Sequence, residues 1–148
     1  MERKVQSPAL VMRVMKYGFI VAALLFIYMG LKIPVPAHVP VSVPVEIAIT
    51  FAGLGSVLGG FLLPRFVFRA AERRPQSNPT LTALKIWRSK GMLSLTYFQA
   101  SVFFGLVLFI LRGHEWLVGL LFGAGIAAML VWSPGKPPRS EEGGRPRS

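Results

Sequence analysis

The chain has no cysteine and no aspartate, and its only acids are six glutamates. Without cysteine there are no disulfides, no thiolate nucleophile and no cysteine metal site. Charge is scarce throughout: 16% of the 148 residues are charged, against 53% hydrophobic, with a mean hydropathy of +0.54. A soluble domain of this size needs more polar surface to cover one core. No Ser-His-Asp set, phosphate-cradling glycine loop or paired carboxylates occurs, so an enzyme is not expected, and no cofactor is implied.

What is present is apolar sequence in long blocks. Crossing about 30 Å of hydrocarbon takes about 20 apolar residues in a helix. Four blocks qualify, at about residues 14–33, 46–64, 91–111 and 116–133. The expectation is an all-α membrane protein, four transmembrane helices in an antiparallel bundle with short loops. Residues 1–134 form the membrane domain, and 135–148 form a basic tail. That tail is rich in Pro, Gly, Arg, Ser and Glu, a composition expected to be disordered.

Basic residues then orient the bundle. Of 17 Lys and Arg, all but Lys32 and Arg112 fall at the amino end, in the link from Arg65 to Lys90, or in the tail. Basic residues concentrate on the cytoplasmic side of membrane proteins. Both termini are therefore expected in the cytoplasm, in a cytoplasmic (inner) membrane. The net charge of +11 is accounted for by this topology and by attraction to anionic headgroups, not by nucleic acid. Trp87, Trp116 and Trp132 fall near span ends, where an aromatic belt belongs. A cleaved signal peptide is the rival reading of the first span, but Lys32-Ile-Pro-Val-Pro-Ala-His38 offers no small-residue cleavage site.

The loops differ in kind. Residues 33–45 carry Pro34, Pro36, Pro40 and Pro44, an extended polyproline-like stretch. Arg112-Gly-His-Glu115 is a tight outer hairpin that makes spans three and four antiparallel neighbours. In the inner link, Arg65 to Arg74 is expected to continue the second helix into the headgroups. Asn78-Pro79 resembles a helix cap, with residues 80–90 as a short interfacial helix.

Small residues mark packing surfaces. Gly55 and Gly59 form GxxxG on span two, with Ala52, Ser56 and Gly60 as a second row. Span four repeats the spacing with Gly119, Gly123 and Ala127. Such rows let helix backbones approach closely. Packing within this one bundle is the simpler expectation, and assembly with other subunits or copies is the alternative. No Asp, Glu, Lys, Arg or His falls in the middle of a span. The interior polar candidates are Gln99 and Thr96, which share a face, with Ser101 nearly opposite. A glutamine at that depth is expected to find a hydrogen-bond partner across the bundle. His38, Glu46, His114 and Glu115 gather at the outer boundary, where solvated interface residues are expected in preference to a metal site.

Spans two and three carry a resemblance. Gly53-Leu-Gly-Ser-Val-Leu-Gly-Gly60, then Arg74-Pro-Gln76, then Gln99-Ala-Ser-Val-Phe-Phe-Gly-Leu-Val107 is similar to the hairpin of ATP synthase c-type proteolipids. The segment also resembles a group of small four-span bacterial membrane proteins of uncharacterised role, through the 112–115 hairpin to Pro134. The resemblance implies a ring-forming or accessory membrane subunit. Gln99, however, occupies the position of the ion-carrying carboxylate, and glutamine does not titrate. The functional expectation is a non-enzymatic membrane subunit or assembly factor acting by helix packing in a larger complex. A small oligomeric pore, carrier or holin-like protein is the alternative. The absent intramembrane charge weighs against a proton-coupled carrier.

Overall fold

The computed structural model describes residues 7–34, 41–73 and 79–138, with backbone alone at 79 and 80. It contains four helices: α1 (Pro8–Lys32), α2 (Val43–Glu72), α3 (Pro79–Ile110) and α4 (Glu115–Val131). The architecture is all-helical, as the sequence patterning predicts. The first three helices are long and apolar enough to cross a membrane. The fourth has 17 residues, about 26 Å at 1.5 Å per residue, short of a full hydrocarbon thickness.

The helices overrun the uncharged blocks. Ser7 caps α1, its Oγ accepting the Leu10 amide at 3.4 Å, with Pro8 in the first turn, where its missing N–H costs nothing. The second helix starts at Val43, so Pro44 belongs to its first turn and not to an extended loop. It also runs through Pro64, the expected end of span two, and on to Glu72. A proline removes one backbone bond without necessarily ending a packed helix, and Pro64 is buried. The separate interfacial helix expected over residues 80–90 is instead the first part of α3, which continues unbroken to Ile110. No proline interrupts that stretch, and Gly91 is buried against Met12 and Trp132. Asn78, His38 and residues 139–148 of the tail lie outside the described residues.

Side-chain contacts give the directions. Along α2 and α3, Gly53 meets Phe104 and Gly60 meets Phe98, an antiparallel pairing. Along α3 and α4, Gly105 meets Phe122 and Gly125 meets Val102, again antiparallel. Met12 meets Gly91 and Gly30 meets Leu106, so α1 runs parallel to α3. The third helix touches the other three, whereas α1 and α2 do not touch each other. The bundle is thus centred on the α3–α4 pair, with α1 and α2 on its flanks.

Two apolar clusters fill the interior. Ala23, Leu95, Phe98, Val102, Ala128 and Met129 form one, with Phe61 and Trp132 packed against it. Leu108, Val118 and Leu121 form the other, nearer the α3–α4 turn. Phe98 anchors the first cluster, its ring centroid 4.8 Å from Phe61 and 6.4 Å from Trp132. The outer surface is apolar as well: Phe51, Leu58, Leu24, Phe103 and Val131 are all exposed. Apolar area on this scale needs a nonaqueous neighbour.

Candidate functional site

The end of the bundle bearing most of the basic residues is tied together by polar contacts to carbonyls. Lys16, two turns into α1, donates to Leu130 O at 2.8 Å and Trp132 O at 2.6 Å. These are among the carbonyls that a helix end leaves without intrahelical partners, and a cation there also meets the negative end of the helix dipole. Lys16 thereby caps α4. Trp87 Nε1 donates to Pro134 O at 2.7 Å, holding the segment after α4 against α3. Residues 132–138, which include the start of the expected tail, are irregular, and Pro137 and Pro138 are half-buried. Glu72 pairs with Lys90, joining the end of α2 to α3. Replacing Lys16 by methionine keeps the stem and deletes the ammonium. The expected cost is about 1–2 kcal/mol, for charge-assisted bonds to carbonyls at a half-buried site, read as a lower Tm in detergent.

At the opposite end the chain makes a tight reversal. Arg112 adopts φ 57°, a left-handed conformation. The Gly113 amide bonds Leu108 O at 2.8 Å and the Arg112 amide bonds Phe109 O at 3.0 Å. This pattern is a Schellman ending of α3. It delivers His114 to the N-cap of α4 beside Glu46, from the first turn of α2. The Glu46 carboxylate accepts the His114 backbone N–H, and His114 Nδ1 lies 2.8 Å from both of its oxygens. Glu46 is only 4% exposed, so it is not the solvated interface residue the sequence suggested. It sits where the N-termini of two helices converge, a favourable place for negative charge. Glu115 is exposed, and among the described residues no three His, Asp or Glu side chains group as a metal site would require.

The interior polar residues divide differently from expectation. Ser101, not Gln99, makes the bond across the bundle, its buried Oγ donating to Leu121 O at 3.1 Å. Thr96 is occupied locally, donating to Met92 O at 2.9 Å. Gln99 Oε1 is buried and has no partner among the described residues. Gln99 and Thr96 share the wall of a cavity of about 340 Å³ between α1 and α3. Phe19, Phe26, Phe103 and Leu106 supply its apolar lining. An amide left without a partner in an apolar site is costly.

The five glycines singled out for packing separate by face. A Cβ at Gly60 would lie 2.5 Å from the Phe98 ring and 3.1 Å from Ser94 O, so this glycine packs inside the bundle. A Cβ at Gly59 would lie 3.2 Å from the Tyr97 ring. A Cβ at Gly55, Gly119 or Gly123 would meet no neighbouring element within 4 Å, and all three are exposed. Packing within one bundle therefore does not account for those three. The close approaches of α3 and α4 are made by Gly105 and Gly125, which lie outside the predicted rows. Spacing identifies a face of small residues; which face turns inward is decided by the neighbours.

Comparison with known proteins adds no relative: no family model, curated protein or solved structure matches the chain.

Proposed function

We propose that the chain is a non-enzymatic integral membrane subunit or assembly factor that binds a partner membrane protein laterally, through helix packing. The observation carrying this reading is Gln99, whose buried carboxamide oxygen has no partner among the described residues and lies beside an apolar groove between α1 and α3. A hydrogen-bond donor on a transmembrane partner would satisfy it, at about 0.5–2 kcal/mol for such a bond between helices. The outward row Gly119, Gly123 and Ala127 on α4 supplies a second place where another helix can approach closely. The filled core, with Leu95, Phe98, Leu121 and Met129 at 0% exposure, favours this reading over a pore through a single chain.

In this reading α4 is a fourth, short span, and the basic end of the bundle with both termini faces the cytoplasm of a bacterial cell. The similarity to c-type proteolipids enters as a packing mode only, because Gln99 cannot carry a proton.

Gln99→Leu tests the proposal. The substitution removes an unsatisfied amide, so the solubilised protein should keep its thermal stability. Proteins that copurify with the natural chain in mild detergent should fall at least severalfold. Gly119→Leu/Gly123→Leu, placed where nothing is crowded, should also weaken capture. A natural chain that purifies as a lone homo-oligomer, or an unchanged partner profile in both variants, defeats the reading.

A further inference from the structure

At the basic end a second cavity, of about 420 Å³, opens between α2, α3 and the segment following α4. Its wall includes Arg65, Trp87, Lys90, Ser94, Trp132 and Pro134. The charges around it are unbalanced. Glu72 pairs with Lys90, and both line the adjoining surface pocket with Arg65 and Arg69. The Arg65 guanidinium lines both cavities and has no ion-pair or hydrogen-bond partner among the described residues. Ser94 is 4% exposed and stands on the same wall. A serine hydroxyl and an unpaired guanidinium on one wall form a donor set for a phosphate group, since arginine matches phosphate oxygens in a fork.

The surroundings select the form in which phosphate arrives. Phe61 and Val131 continue the same wall as apolar surface. Trp87 and Trp132 line it as well, indoles being the side chains enriched at membrane interfaces, and Trp87 is fixed there by its bond to Pro134 O. A free anion has no use for that apolar wall, whereas a phospholipid covers it with its glycerol and upper acyl carbons. We propose that this cavity is a binding site for an anionic phospholipid. Arg65 and Ser94 contact its phosphate, and Lys90 adds positive charge. The inference rests on the membrane location of the chain and is independent of any protein partner.

Native mass spectrometry of the full chain in detergent, titrated with phosphatidylglycerol or phosphatidylcholine, is the direct test. Phosphatidylglycerol should bind more tightly than phosphatidylcholine. Arg65→Gln should weaken it about fivefold, the loss expected for one basic group at an anionic lipid surface, while Arg65→Lys should lose less. Glu72→Gln, which removes the nearby negative charge, should leave binding equal or tighter; this keeps the test valid if Arg65→Gln fails to fold. Equal binding of the two lipids, an unchanged Arg65→Gln, or weaker binding in Glu72→Gln overturns the proposal. Displacement of the lipid by inorganic phosphate alone would assign the site to a soluble anion and overturn the lipid.

Discussion

Gly125→Ala should destabilise the bundle by about 3 kcal/mol, the upper part of the range for overpacking, while Gly123→Ala stays within about 0.5 kcal/mol of the natural chain. The two glycines are two residues apart on α4, so helix propensity treats them alike. Their surroundings do not. A Cβ at Gly125 would lie 2.7 Å from Val102 Cγ2, 2.9 Å from Phe98 O and 3.3 Å from Val102 N. Two of those atoms are α3 backbone, which cannot rotate aside, so α4 would have to withdraw along its length. That shift would stretch the Ser101 bond to Leu121 O and loosen Met129 and Ala128 in the core. Gly30 makes the contrast: a Cβ there would meet Leu106 Cδ1 at 2.0 Å, the end of a flexible side chain, so Gly30→Ala should cost less than Gly125→Ala. Thermal unfolding in detergent should place the Gly125→Ala Tm on the order of 5–10 °C below that of Gly123→Ala. Equal Tm values would mean that α3 and α4 do not approach as described.

Glu46→Ala should also give a large loss, and its ordering against two neighbours is the informative result. Alanine leaves the His114 backbone N–H at the start of α4 without its acceptor and removes a carboxylate from the meeting point of two helix N-termini. Glu46→Gln keeps one acceptor oxygen for that N–H and gives up only the charge. His114→Ala gives up the ring contacts but retains the backbone N–H for Glu46, and the His114 ring is largely exposed. Tm should therefore be lowest for Glu46→Ala, with Glu46→Gln and His114→Ala above it. Gly113 belongs to the same arrangement, because a Cβ there would lie 3.0 Å from Glu46 Oε1 and 2.5 Å from Leu108. A Glu46→Ala variant as stable as His114→Ala would show that the carboxylate does not hold the turn.

The four helices were legible because charge is absent from four long stretches, and charge is what hydrocarbon rejects most strongly. Their ends were less legible for the same reason. Arg65 and Lys90 mark where apolar surroundings stop, whereas helix hydrogen bonding continues past them to Glu72 and back to Pro79. The continuation of α2 past Pro64 was legible in residues 65–74, whereas the unbroken join of residues 80–90 to the rest of α3 was not. The α3–α4 turn was readable from Arg112-Gly-His-Glu115, yet its tie to Glu46 was not. That contact joins residues 68 positions apart, and only the placement of α2 against the turn creates it. The signal available was an isolated carboxylate in the first turn of an apolar helix, facing a histidine at the same membrane level. Gln99 was singled out as the interior polar residue, and its Oε1 has no partner among the described residues. The assumption that a deep amide is satisfied within its own bundle gave way, because Ser101 on the opposite face already supplies the crossing bond.

The lateral-partner account is tested most directly by placing a photo-crosslinking residue at Phe103, which lines the Gln99 groove and is exposed, and irradiating intact membranes. The account predicts one discrete heteromeric product, identifiable by mass spectrometry and strongly reduced when Gln99→Leu is introduced in the same chain. Adducts to lipid or to a second copy alone, or a heteromeric product indifferent to Gln99→Leu, would contradict it.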